Sequence, residues 1–293
     1  MSYLVEFFPA DGGTSLVWTT TPGDPITLMA LDGVGPITVS PLTTKTPGQS
    51  GQTLLDTDTP ARVVTVTGLL QAADADAFWT ARAAFARALV RQPVRPGETQ
   101  ALGILRVTLP GHAPLEIECQ PLSVNLPSPS SVGIITTDVE FYAPYPNWRE
   151  IADVGLYFYS SGGWSWPLLF PLAMQGGAVS QEIVNLGDVD APVLIRMYGE
   201  ATNVYMSNLT TGQIVKILTA LAAGDYVEIA TSFGAKSVTL VSGATRTDLM
   251  SALDLSNADF WSLVPGSNWV SFGAGLNVSG YAALYWRQRY SGI

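Results

Sequence analysis

Short apolar runs, cut by glycine and proline, fill the first 150 residues. Runs at 3–8, 16–20 and 26–31 predict three short strands, the first ended by Pro9-Ala10-Asp11-Gly12-Gly13. Residues 62–70 (RVVTVTGLL) set Val64, Val66 and Gly68 against Val63, Thr65 and Thr67, the alternation of a half-buried strand. Segments 101–109 and 115–120 predict two strands joined at Pro110-Gly111-His112-Ala113-Pro114, and the Pro/Ser-rich 121–131 predicts a connection. A further strand, 133–142, places Ile135, Thr137, Val139 and Phe141 on one face. Helical spacing occurs clearly once, at 74–92, where Phe78, Ala81, Phe85, Ala88 and Leu89 form a stripe. Asp74 caps that helix, Asp76 favours its first turn, and Pro93 stops it. Arg82, Arg87 and Arg91 then read as a solvated face complementing the helix dipole, with a partner site as the alternative.

Two stretches depart from this alternation. Residues 41–60 (PLTTKTPGQSGQTLLDTDTP) are polar and rich in Thr, Gly and Pro. Some 20 residues of this kind are long for a connection within a domain, which predicts a mobile loop or an arm ordered against a neighbouring subunit. Residues 155–170 (GLYFYSSGGWSWPLLF) gather six aromatics around Ser160-Ser161-Gly162-Gly163 and predict a hinge. Trp164 and Trp166 share one face of an extended segment, either packed at a domain junction or stacking on a sugar. Beyond the hinge, strand candidates recur at 180–185, 193–198, 204–208, 214–218, 226–230, 237–241, 269–273 and 282–290, with one helical turn at 247–257. This is the spacing of an antiparallel sandwich. The chain is therefore expected to be mainly β, with an α+β domain over 1–150 and an all-β domain over 151–293.

Composition narrows the function. Only 13% of the 293 residues are charged against 47% hydrophobic, where typical domains carry about 25% charged residues; much surface is expected to be buried in an assembly. A net charge of -10 argues against wrapping nucleic acid, although not against a surface that DNA slides past. Single residues, His112 and Cys119, leave nothing for a disulfide, a thiolate metal cage or a hydrolase triad, and no nucleophile elbow or phosphate loop occurs. The pairs Asp56/Asp58, Asp74/Asp76 and Asp188/Asp190 fall on turns or caps. No enzyme, cofactor or metal is expected. The opening MSYLVEFFPADGG has no positive leader and no apolar run approaches a bilayer span, so a soluble product of a cytoplasm is expected. Trp164, Trp166, Trp261 and Trp269 are the candidates for stacking on sugar rings.

From residue 162 onward the order of short motifs resembles the siphophage tail component family, the distal tail proteins of long-tailed phages. Carrying the resemblance are Gly162-Gly163-Trp164-Ser165-Trp166-Pro167, Ile183-Val184-Asn185-Leu186-Gly187-Asp188 and Tyr198-Gly199-Glu200-Ala201-Thr202-Asn203. Asn208-Leu209-Thr210-Thr211-Gly212, Leu263-Val264-Pro265-Gly266-Ser267-Asn268 and Tyr285-Trp286-Arg287-Gln288-Arg289-Tyr290 follow in order. Many members place proline after the equivalent of Asn203; this chain has Val204. The first half matches in outline only. The resemblance implies a tail-tube-like first domain (a β-sandwich or split barrel with one flanking helix) closing into a hexameric ring, and a galectin-like β-sandwich outside it. It implies a virion tail tip location after synthesis in the host bacterial cytoplasm. Implied partners are further copies of the chain, the tail tube protein, the tail-tip hub or tail-associated lysin and a receptor-binding protein, with DNA only in transit and no membrane. The alternative from another class is a carbohydrate-binding host-attachment module; a wall hydrolase is the weakest reading.

Overall fold

The alternation at residues 62–71 builds one wall of a barrel. In the computed structural model, which describes residues 3–21, 24–90, 101–127, 133–159, 179–273 and 280–293, the chain divides into two compact units. One comprises Met1–Ile151 with Tyr290–Ile293, the other Ala152–Arg289. The strands of the first are β1 (Leu4–Phe8), β2 (Leu16–Thr19), β3 (Ile26–Asp32), β4 (Ser40–Thr44), β5 (Thr53–Asp58), β6 (Arg62–Gln71), β7 (Gly103–Thr108), β8 (Leu115–Asn125), β9 (Ile134–Ala143) and β10 (Trp148–Glu150). The helix α1 (Ala75–Ala88) lies between β6 and β7. Seven strands run in the order β8-β7-β1-β2-β3-β6-β9, and β9 pairs back with β8, closing the barrel; β10 adds to β8. Closure removes the free edges that a sheet this size would expose.

Aromatics fill the barrel. Trp18 meets Phe141 and Phe85 edge-on, with ring centroids 6.3 and 6.0 Å apart, and Phe7 lies 4.8 Å from Phe141. Phe85 comes from α1, so the helix is fixed by the barrel's own core. Gly68 makes room for this packing: a Cβ there would sit 2.7 Å from Trp18 Cδ1. Asp74 caps the helix as expected, accepting from Ala77 N–H at 2.8 Å. The helix ends at Ala88, earlier than 92, because Leu89 leaves helical geometry (φ -101°, ψ 6°) and bonds back to Arg87 O; residues 91–92 lie outside the described residues. The connection expected at 121–131 is corrected over its first half. Strand β8 continues to Asn125, with a register shift between Pro121 and Ser123 where proline withholds its ladder hydrogen bond.

The second unit is a two-sheet antiparallel sandwich. Its strands are β11 (Val154–Tyr159), β12 (Val179–Asn185), β13 (Ala191–Tyr198), β14 (Ala201–Thr202), β15 (Tyr205–Asn208), β16 (Gln213–Ile217), β17 (Ala220–Leu221), β18 (Tyr226–Ala230), β19 (Ser237–Ser242), β20 (Thr245–Asp248), β21 (Leu253–Ala258), β22 (Ser262–Leu263), β23 (Gly266–Gly273) and β24 (Tyr281–Trp286). One sheet runs β11-β24-β13-β18-β19-β20, with β22 on β13; the other runs β12-β23-β15-β16-β21. Ile195, Met197, Ile229 and Leu284 of the first sheet and Ile183, Met206, Val270 and Phe272 of the second share one core. The stretch expected as a hinge begins instead as strand β11 within this unit, paired along its length with β24; residues 160–170 lie outside the described residues. The helical turn expected at 247–257 is a single turn, Met250–Ala252, between two strands.

Candidate interaction surfaces

The polar stretch 41–60 forms β4 and β5, an antiparallel ribbon paired with neither barrel nor sandwich. Every residue of both strands is exposed. Side chains knit its tip: Thr43 Oγ1 donates to Gln52 Oε1 and Gln49 Nε2 to Thr53 Oγ1, both at 2.8 Å. Alternation fails to reveal these strands because neither face of the ribbon is buried. Leu42, Leu54 and Leu55 are 57–61% exposed on it. A two-stranded ribbon is marginal alone in water, and exposed leucines gathered on one are the kind of apolar surface that interaction sites use.

The barrel exterior is ordered by charge. Glu6, Arg106, Glu116 and Arg149 face one another across β1, β7, β8 and β10. Arg149 bonds Glu116 at 3.0 Å and Glu118 at 2.7 Å, and Arg106 approaches Glu116 at 3.7 Å. Arg62 is buried and donates to four carbonyls, those of Pro146, Gly33, Gly35 and Ser291. Burial lowers its pKa, but the guanidinium stays charged at neutral pH. It joins the loop after β3 to the returning residues Tyr290–Ile293, where Tyr290 also donates to Glu150 at 2.8 Å.

In the sandwich, the asparagines of the family-like motifs are clamps for turns. Asn268 donates to Val264 O (2.7 Å) and Gly266 O (3.0 Å) and accepts from Val264 N–H and the Asn208 amide. Asn208 Oδ1 accepts from the amides of Thr210 and Thr211. Asn185 donates to Leu263 O at 2.9 Å, and Gln288 Oε1 accepts from the amides of Leu186 and Gly187. Asparagine suits this work because one amide both donates and accepts beside its own backbone. Asn203 takes the left-handed conformation (φ 52°), and Val204 after it is fully buried.

The solvent face of the β11 sheet carries a tyrosine row that the linear sequence hides. Tyr159, Tyr281, Tyr198 and Tyr226 stand directly opposite one another on four adjacent strands. Tyr198 stacks on Tyr281 at 4.5 Å and 9°, Tyr281 stacks on Tyr159 at 5.8 Å, and Tyr226 packs against Tyr198 at 4.8 Å with a 34° tilt. Beside the row, Arg196 lies 5.9 Å from the Tyr226 ring and 5.4 Å from Tyr285, and bonds Glu228 at 2.8 Å. Arg246 bonds the other oxygen of Glu228. Burial pushes the Glu228 carboxyl up, but the two arginines outweigh it and hold the net value below the ordinary range. The hydrogen bond to Tyr157 raises the Tyr285 phenol, and burial raises Tyr198.

Catalytic chemistry finds little support. Cys119 is buried inside the barrel, where desolvation pushes its thiol far above the usual range. His112 is exposed at the rim of a cleft of about 350 Å³ lined by Val107, Leu109, Leu115 and Ile293. Among the described residues, no three His, Cys, Asp or Glu side chains gather as a metal site, and no helix is long and apolar enough to cross a membrane. Trp164 and Trp166 lie outside the described residues. Trp261 is buried with its Nε1 on Met206 O, whereas Trp269 is 49% exposed, opposite Glu182 on β12.

A barrel unit with a two-stranded ribbon, followed by an antiparallel sandwich, is a fold that solved structures share. Residues 186–290 match the family model described as the siphovirus-type tail component, C-terminal domain. The Dit protein of phage SPP1, described as a paradigm of the hub adsorption apparatus of phages infecting Gram-positive bacteria, shares the fold over 98% of both chains at 12% identity (TM-score 0.67). A chain of the phage P2 baseplate in its activated conformation with Ca matches over 100% of both chains at 10% identity (TM-score 0.56). A chain of the same baseplate activated with Sr matches with the same TM-score, 0.56. A search of curated protein sequences finds no match.

Proposed function

We propose that this chain is a distal tail protein: a structural subunit of the virion tail tip that joins the tail tube to the baseplate hub. The observation that carries the reading is the fold shared over 98% of both chains with a hub protein, barrel and sandwich included. The first unit closes with five further copies into a hexameric ring, each copy's ribbon covering its exposed leucines on a neighbour. Burying three such leucines on a neighbour is worth several kcal/mol per subunit at about 1.5–3 kcal/mol each. DNA passes through the ring, whose net negative charge keeps a polyanion from sticking. The sandwich faces outward and holds the receptor-binding protein, while the tail tube protein and the hub or tail-associated lysin contact the two faces of the ring.

Light scattering after size exclusion, with negative-stain microscopy of the same fractions, tests the ring. The expected result is six-fold particles, lost in the Leu54→Ser/Leu55→Ser variant, which keeps the wild-type melting temperature because surface changes cost little in the subunit itself. Monomers alone at high concentration, also with the tube and hub proteins present, would overturn it. A second reading, a carbohydrate-binding host-attachment module, draws on the half-exposed Trp269 beside Glu182. A glycan array on which Trp269→Ala matches the wild type would remove it.

A further inference from the structure

From the tyrosine row of the sandwich we infer a preformed docking ridge for a second, different protein, one that presents carboxylates among aliphatic side chains. The row crosses four strands in register, from Tyr159 through Tyr281 and Tyr198 to Tyr226. At about 4.8 Å per strand, it makes a ridge about 15 Å long. The stacking decides what the ridge offers. With Tyr198 and Tyr281 parallel at 4.5 Å, Tyr159 stacked outside Tyr281 and Tyr226 packed at a 34° tilt against Tyr198, the inner ring faces are covered. What remains outward are ring edges and hydroxyls, which suit aliphatic side chains and hydrogen-bond acceptors. A sugar ring needs a free aromatic face, and here the inner rings have none to give.

Charge completes the choice of occupant. The ridge's carboxylate, Glu228, is held by Arg196 and Arg246 together. Asp248, on the outermost strand, accepts from Met250 N–H at 2.9 Å, and Asp153 is paired with Arg287 at 2.6 Å. Arg246 remains 56% exposed at the end of the row. The ridge thus presents phenol hydroxyls and the exposed part of the Arg246 guanidinium, while Glu228 is held between two arginines, so a complementary surface supplies acceptors and negative charge. Tyrosine and arginine held rigid before contact are what interface hot spots use, since little side-chain entropy is lost on docking. The ridge itself stands independently of the tail reading, which supplies only the identity of the partner as another tail-tip component.

Panning a random-peptide display library against the full chain tests the ridge with no partner specified in advance. Enriched peptides are expected to combine Asp or Glu with Leu, Ile, Val or Pro. Their binding is expected to weaken about tenfold or more in Tyr159→Ala/Arg246→Gln, and to persist in Arg246→Lys. Tyr159 is 64% exposed, so circular dichroism of the double variant is expected to match the wild type; if it does not, Arg246→Gln alone carries the comparison. Peptides without acidic bias, binding indifferent to the variants, or no enrichment at all would overturn the proposal. Two other results would also overturn it by naming a different occupant: glycan binding abolished by the double variant, or an oligomer that the double variant dissociates. Rings that form normally alongside a silent ridge would refute the ridge and leave the hub reading standing.

Discussion

The two units solve opposite problems with similar residues. The barrel takes its aromatics inside, where Trp18, Phe7, Phe85 and Phe141 interlock, and leaves bare aliphatics on a ribbon. The sandwich core mixes Ile, Val and Met with Phe158, Trp261, Phe272 and Trp286, and the unit wears a row of tyrosines outside. Exposed leucines are costly in water, so the surface that carries them is one that stays covered, as in obligate assemblies. Phenols tolerate water and still bind well, which suits a surface that is made and left, or filled late. In the ring proposed above, the ribbon would be the surface that stays joined and the tyrosine face the one filled late.

Calorimetry can break this comparison, since the units are expected to melt separately. Trp18→Ala removes the centre of the barrel packing and is expected to cost about 3–5 kcal/mol, lowering the barrel transition and sparing the sandwich. If both transitions fall together, the units are not independent cores. Asn268→Ala removes the side-chain partner of the Val264 N–H and of the Val264 and Gly266 carbonyls, and leaves Asn208 Nδ2 only Ser262 O, at about 1–3 kcal/mol per buried group left unsatisfied. That loss is expected in the sandwich transition alone. The smallest effect is with acid. Glu228 and Asp254 both titrate below their unfolded values, Asp254 at about 2 because Ser256 and Asn257 hold its carboxylate. A depressed carboxyl stabilises the fold fully above its unfolded value and loses that contribution as pH falls through the folded one. The sandwich transition is therefore expected to weaken from about pH 4 downward, and NMR titration of the two carboxyls checks it.

Much of the fold was legible where one face of an element is buried. Val64 and Val66, and the stripe through Phe78 and Phe85, declared themselves by period. Alternation fell silent where both faces are wet, as in β4 and β5, and where Pro121 masks a strand that bulges around it. The motifs that carried the family resemblance proved to be turn clamps, Asn185, Asn208 and Asn268 among them, which explains their polar residues beside loops. The tyrosine row was not legible at all: Tyr159, Tyr198, Tyr226 and Tyr281 come from four distant segments, and strand register alone aligns them. Trp164 and Trp166, singled out by their closeness in the chain, lie outside the described residues.

Residues 290–293 have a consequence for how the protein is made. Because they return to the barrel unit, the sandwich is an insertion in it, and the Arg62 guanidinium lacks one acceptor until Ser291 has been synthesised. The ribosome therefore delivers the sandwich whole before the older unit can be sealed. A single protease cut within the sandwich also leaves both pieces anchored to the barrel.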